Sequence, residues 1–233
     1  MINMKSGTSN LPHNSDELQR MYEVRFSGRV KYRDRVWGVL IRDYFQKFVR
    51  KEDTVLDLGA GYGEFINNVK CAKKFAMDLN PDTSSLVNAG IEVLLQDCSQ
   101  TWQLPDNSLD VVFTSNFFEH LPDRPALART LSEVRRCLKP GGLIIALGPN
   151  IKYALGSYWD FIDHHIPLTE LSLAEALTQQ GFGIEKCVGR FLPFTMASGP
   201  LYPVFFVAWY LRFPFMWRIF GKQFLVIGKK GNA

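Results

Sequence analysis

The chain is poor in cysteine and histidine and has no extended apolar run. Four cysteines stand singly at 71, 98, 137 and 187 in 233 residues. No C-x-x-C occurs, which removes the zinc knuckle and the dithiol redox pair as motifs. Free thiols in a reducing compartment are the expectation. The apolar stretch Leu201–Leu211 covers eleven residues, too few to span a bilayer. The polar opening Met1–Asn14 lacks the apolar centre of a secretory signal, so a cytoplasmic protein is expected. The net charge is only +4. No basic stripe interleaved with aromatics stands out, so no nucleic-acid partner is expected.

What is present suits one α/β domain. Apolar residues make up 46% of the chain and charged residues 21%, a composition that builds a core rather than a disordered chain. Residues 1–15 read as a flexible terminus and 16–233 as a single domain. Over 16–50, Val36, Val39, Leu40, Phe45 and Phe48 recur at helical spacing behind the basic run Arg29–Arg35, which predicts one or two helices. From residue 53, short apolar segments alternate with helical patterns. Strands are expected at 54–58, 74–78, 92–95, 109–114, 142–148, 182–189 and 223–228. Helices are expected near 63–70, 82–89, 123–138 and 169–180, with Thr169 as N-cap and Gly181 as terminator. Lys139-Pro140-Gly141-Gly142 reads as the stop between a helix and the fifth strand. The expected fold is a doubly wound, mostly parallel seven-stranded sheet with N-terminal helices and an aromatic-rich insertion, 191–221, before the last strand.

The densest signal is Val55-Leu-Asp-Leu-Gly-Ala-Gly-Tyr-Gly-Glu-Phe65. A buried strand runs into glycines at alternate positions and then into a helix, the unit that cradles nucleotides in doubly wound folds. The spacing is G-x-G-x-G and not the dinucleotide G-x-G-x-x-G. Glycine lets the backbone approach a ligand without a Cβ, and a helix start offers amides to a carboxylate or phosphate. Asp78 at the tip of the second strand is placed for ribose hydroxyls. Asp97 after the third can accept a purine amine. The fourth ends Val112-Phe-Thr-Ser-Asn116, at the crevice.

In motif, order and spacing the chain resembles the class I S-adenosylmethionine-dependent methyltransferases over roughly 50–190. The matching parts are VLDLGAGYGEF (55–65), Asp78, Asp97 with Cys98, DVVFTSNFFEHL (110–121) and LKPGGLIIAL (138–147). The resemblance implies S-adenosyl-L-methionine as cofactor. It implies that Gly59, Ala60, Gly61, Tyr62 and Gly63 wrap the methionine part, and that Asp57 supports the turn or meets the amino group. Asp78 would hold the ribose with Leu79 against the adenine. Asp97 and the neighbouring Cys98 would border the adenine, and Asn116 the methyl group. Each acid has a second reading as a turn-capping group, and Cys98 one as packing.

A sulfonium methyl needs a positioned nucleophile and, for a hydroxyl acceptor, a base. The candidates are His120, His164 and His165; His13 lies in the flexible start. Relatives that carry E-x-x-E-H at 116–120 bind a divalent ion there. This chain has Asn116 in place of the first Glu, and no metal is expected. The expected reaction is methyl transfer to a small-molecule, sugar or lipid-linked acceptor. A nicotinamide oxidoreductase and an inactive methyltransferase-like binding protein are the alternatives. Segment 191–221 has three open readings: a lid over an apolar acceptor, a peripheral membrane contact, or core or dimer packing.

Overall fold

The computed structural model describes residues 29–193 and 201–232. The expected flexible start, His13 and part of the aromatic insertion therefore lie outside the described residues. Helix α1 (Val30–Leu40) buries Val36, Trp37, Val39 and Leu40, then widens over Ile41–Phe45 and tightens over Gln46–Phe48. The remaining elements follow as β1 (Thr54–Leu58), α2 (Glu64–Asn68), β2 (Lys73–Asp78), α3 (Thr83–Leu86), β3 (Glu92–Leu95), β4 (Leu109–Ser115), α4 (Arg124–Cys137) and β5 (Leu138–Pro149). After these come α5 (Ile151–Ala154), α6 (Glu170–Gln179), β6 (Phe182–Val188), α7 (Phe205–Arg212), α8 (Pro214–Phe220) and β7 (Gln223–Lys230).

The sheet runs β3-β2-β1-β4-β5-β7-β6. Pairs among β1 to β5 are parallel, and β7 pairs antiparallel with both β5 and β6. The strand order reverses between β1 and β4, so the crevice at their carboxyl ends is the natural ligand position. Alternation along β1 divides the core. Leu56 and Leu58 face α4 and α6, whereas Val55 faces α1 and α2. On the second face Phe113 meets Trp37, Phe45 and Phe65 through ring contacts.

Local chemistry accounts for the boundaries. Asp123 caps α4 by accepting from the Ala126 amide at 2.7 Å, with Pro125 in the first turn. Thr169 and Ser172 form a reciprocal cap on α6. Gly181 ends the segment at φ +81°. The Lys139–Gly142 stop is different from the expectation. The chain leaves α4 straight into β5 at Leu138, and the pairing with β4 skips between Leu109 and Val111. Gly141 at φ +77° absorbs that irregularity inside the strand. Helix α2 spans only five residues against the expected 63–70, so the glycine backbone rather than a helix dipole dominates the crevice.

Candidate active site

The glycine turn is fastened to the end of β2. The amides of Gly59 and Ala60 both donate to the Met77 carbonyl, at 2.9 and 3.1 Å. The Gly61 amide donates to Asp78 Oδ2 at 2.7 Å, and the Asn80 amide to Asp78 Oδ1 at 2.9 Å. Gly59, Gly61 and Gly63 sit at φ +71°, +52° and +71°, backbone that other residues adopt only with strain. A Cβ on Gly59 would also lie 2.3 Å from the Phe117 ring. Burial raises the Asp78 carboxyl against the pull of its amide bonds. Each of its oxygens spends one acceptor site on an amide and keeps another, which suits a vicinal diol.

Asp57 is buried beneath the turn. Burial, then the charge of Glu64, pushes its carboxyl well above the usual range, while the Ile66 amide donates to it. That arrangement matches turn support. Glu64 is also buried and pairs with Arg33 of α1 at 2.7 Å, and the Arg33 guanidinium stands over the Tyr62 ring at 5.5 Å. Arg33 thus clamps α1 onto the glycine turn. It was not among the sequence candidates, because a helix-face arginine 31 residues before its partner carries no local signal.

Leu79 and Leu95 end adjacent strands with side chains 52% exposed each. Both leave apolar surface at the carboxyl ends of neighbouring strands. Asp97 accepts from the Ser99 amide at 2.8 Å, so one of its oxygens caps a turn. The Cys98 thiol is buried in the core on the α4 face, 3.4 Å from the Thr130 hydroxyl, and burial pushes it up to about 12. Its side chain packs against α4, so only its backbone is left to border a ligand beside Asp97. Asn116 ends β4 at φ +51°, exposed, with its Nδ2 on Ser115 Oγ.

The histidines divide. His120 and His164 come together, ring centroids 4.9 Å apart, while His165 is exposed on the outside of the same loop. The loop is tied to the end of β4, since the amides of His165 and Ile166 both donate to the Glu119 carbonyl. His164 is buried among rings, stacked on Phe161 and edge-on to Tyr158. This packing leaves His120, the half-buried member, as the better base. Its Nδ1 lies 2.9 Å from Asp163 Oδ2, a partner the sequence reading did not single out. Burial opposes the imidazolium, but the Asp163 bond and the Glu119 charge outweigh it and raise the His120 pKa. Burial pushes Glu119 up to about 7, and its Oε2 is buried without a hydrogen-bond partner among the described residues.

Glu119, His120 and His164 also place one ligand atom each within 4.8 Å of one another. One carboxylate with a raised pKa and two imidazoles form a weak hold for a hard cation. The charge that E-x-x-E-H would add is missing at Asn116.

A family profile described as "Methyltransferase domain" matches residues 56–146, from β1 through β5. Residues 56–146 thus form a methyltransferase domain of the S-adenosylmethionine-dependent type. Phosphoethanolamine N-methyltransferase 1 of Arabidopsis thaliana is 33% identical over 145 residues, 53% of this chain and 28% of that protein. Malonyl-[acyl-carrier protein] O-methyltransferase of Serratia marcescens is 31% identical over 135 residues, 52% of this chain and 51% of that protein. The chain thus spans about half or less of the length of these curated relatives. Among solved structures, a SAM-dependent methyltransferase from Archaeoglobus fulgidus superposes with a TM-score of 0.64 at 22% identity, covering 88% of this chain and 99% of that one. At that identity the likeness concerns the methyltransferase fold alone. The family's cofactor is S-adenosyl-L-methionine, and the amide-braced Asp78, the strained glycines and the paired leucines fit an adenosyl group bearing an amino acid.

Proposed function

We propose that the chain transfers a methyl group from S-adenosyl-L-methionine to an oxygen or nitrogen of a small or amphipathic acceptor by in-line displacement. The observation that carries this reading is the bond between the Gly61 amide and Asp78. It joins the backbone that receives the amino-acid end to the carboxyl that receives the sugar. The cofactor supplies a methyl group already activated on a sulfonium. The chain's own residues do the rest. The glycine turn and Asp78 hold the nucleoside, Leu79 and Leu95 cover its base, and Asn116 stands at the tip of β4 facing the crevice. His120, fixed by Asp163, takes the acceptor's proton at Nε2 when the acceptor is a hydroxyl. Phe161 and Tyr158 pack on His164, which in turn lies against His120. Orientation supplies much of the rate, since the leaving group needs no further activation.

Two relatives named for an N- and an O-transfer support leaving both nucleophiles open. The G-x-G-x-G spacing disfavours a nicotinamide. Calorimetric titration with S-adenosylhomocysteine and, in parallel, NADH tests the reading. Saturable binding of the first and none of the second is expected, and the reverse pattern would replace a methyltransferase with an oxidoreductase.

A further inference from the structure

Seventeen large apolar residues are exposed among those described, and nine of them fall within Leu201–Phe220. Scattered exposed apolar residues are ordinary, whereas a contiguous patch marks a contact surface. Here ring contacts tie the exposed residues together in two runs. The Phe205 and Phe206 rings are 4.2 Å apart, Trp209 and Phe213 6.1 Å, and Phe213 and Phe215 5.9 Å, which carries the second run from α7 onto α8. These rings do not belong to the core. The opposite faces already fill it, with Tyr210, Leu211 and Trp217 buried. The Tyr210 hydroxyl donates to the Phe191 carbonyl at 2.5 Å and the Trp217 indole to the Tyr210 carbonyl at 2.9 Å, which fixes which way each helix faces.

We propose that α7 and α8 form a membrane-contact surface that seats this chain on an anionic lipid bilayer. Charge identifies the occupant. Residues 201–222 hold nine aromatics, three basic residues (Arg212, Arg218 and Lys222) and no acid. All three basic residues are exposed. Lys31 and Arg35 of α1 border the groove where this segment begins. Asp43, an acid that feels the Arg212 charge, is already bonded to Arg42 at 2.7 Å. A second copy of the chain is a poor fit. A two-fold contact lays the same patch on itself, so Arg212, Arg218 and Lys222 would face their own copies with no acid from 201–222 to pair with them. Aromatics at an interface backed by arginine and lysine suit phospholipid headgroups. Length decides between lying and crossing. No described helix is long and apolar enough to cross a membrane, and an eight-residue helix reaches about 12 Å against about 30 Å of hydrocarbon.

The surface also stands at the same end of the sheet as the crevice. Gln223, which follows α8, pairs with Pro149 at the carboxyl end of β5. A chain seated this way turns the rim of its site toward the bilayer, where a lipid-linked or amphipathic acceptor resides.

The test is flotation of the full chain with phosphatidylcholine vesicles and with vesicles containing about 30% phosphatidylglycerol, at low and high salt. We expect at least about tenfold more binding to the anionic vesicles, lost at high salt. Trp209→Ser with Phe213→Ser should abolish binding, and Arg212→Glu with Arg218→Glu should reduce it to the level of neutral vesicles. All four side chains are exposed, so unchanged unfolding temperature and unchanged S-adenosylhomocysteine affinity should accompany both variants. Failure to bind either vesicle, or equal binding to both, would overturn the proposal. So would a dimer in solution that Trp209→Ser converts to monomer. None of these results depends on methyl transfer, so the proposal fails separately from the catalytic reading.

Discussion

Asp163 grips His120 at one nitrogen through two atoms: its Oδ2 lies 2.9 Å, and its backbone carbonyl 3.0 Å, from Nδ1. Both are acceptors, so the neutral imidazole carries its proton on Nδ1 and keeps the Nε2 lone pair. The acid orients the base and raises its pKa.

This pairing sets the pH dependence. A base must be neutral, so the rate with a hydroxyl acceptor should rise with pH through an inflection above the ordinary imidazole value. Asp163→Asn should move that inflection down and lower kcat by about tenfold through loss of orientation. A pH–rate profile of the two proteins checks both effects. An unmoved inflection would detach His120 from catalysis.

Glu119 makes a prediction about stability. Its folded pKa of about 7 lies above the ordinary carboxyl value of 4.5. The folded state therefore binds the proton more tightly than the unfolded state. Stability contributed by protonated Glu119 is fully present below the ordinary value and is lost as pH rises through 7. Glu119→Gln keeps the neutral shape and should gain on wild type by about 2 kcal/mol between pH 5 and pH 8. Urea unfolding at the two pH values measures this, and a constant difference would show that Glu119 titrates normally.

Gly59→Ala places a side chain at φ +71° and 2.3 Å from the Phe117 ring. It should cost about 1–3 kcal/mol of stability from backbone strain alone and weaken cofactor binding further. Thermal unfolding with and without S-adenosylhomocysteine separates the two effects. A variant with wild-type affinity would mean that the turn does not touch the ligand.

Much of the fold was legible because apolar runs and their punctuation are local. The strands fall within a few residues of their expected bounds, since most are short apolar runs ended by Gly, Asp or Asn. The start of β5 was misread because Lys-Pro-Gly-Gly looks like a turn, and only pairing with β4 keeps it extended. The positions of Gly59, Asp78 and Asn116 at strand ends were legible because each follows its own strand. The site was not legible where chemistry depends on distant partners. Asp163 meets His120 across 43 residues, Arg33 meets Glu64 across 31, and the Cys98 thiol turns toward Thr130 because α4 covers that face. Spacing also cannot choose between His164 and His120. Burial of His164 among Tyr158 and Phe161 is what favours His120 in the proposed mechanism.

A chelator should leave activity intact. Glu119, His120 and His164 are near enough to share an ion, but they offer one carboxylate, and burial raises its pKa to about 7, which favours the neutral acid. Loss of turnover in EDTA with recovery on adding Mg²⁺ or Mn²⁺ would reverse this.

The most direct test of the cofactor assignment is titration calorimetry of S-adenosylhomocysteine against wild type and Asp78→Ala. The amides of Gly61 and Asn80 keep water as an alternative partner, so the variant should fold while losing the paired bonds to the ribose. Binding should weaken by about 2 kcal/mol, roughly thirtyfold in Kd. Equal affinity in the two proteins would contradict the account, because the carboxyl that braces the glycine turn would then not be the one that holds the nucleoside.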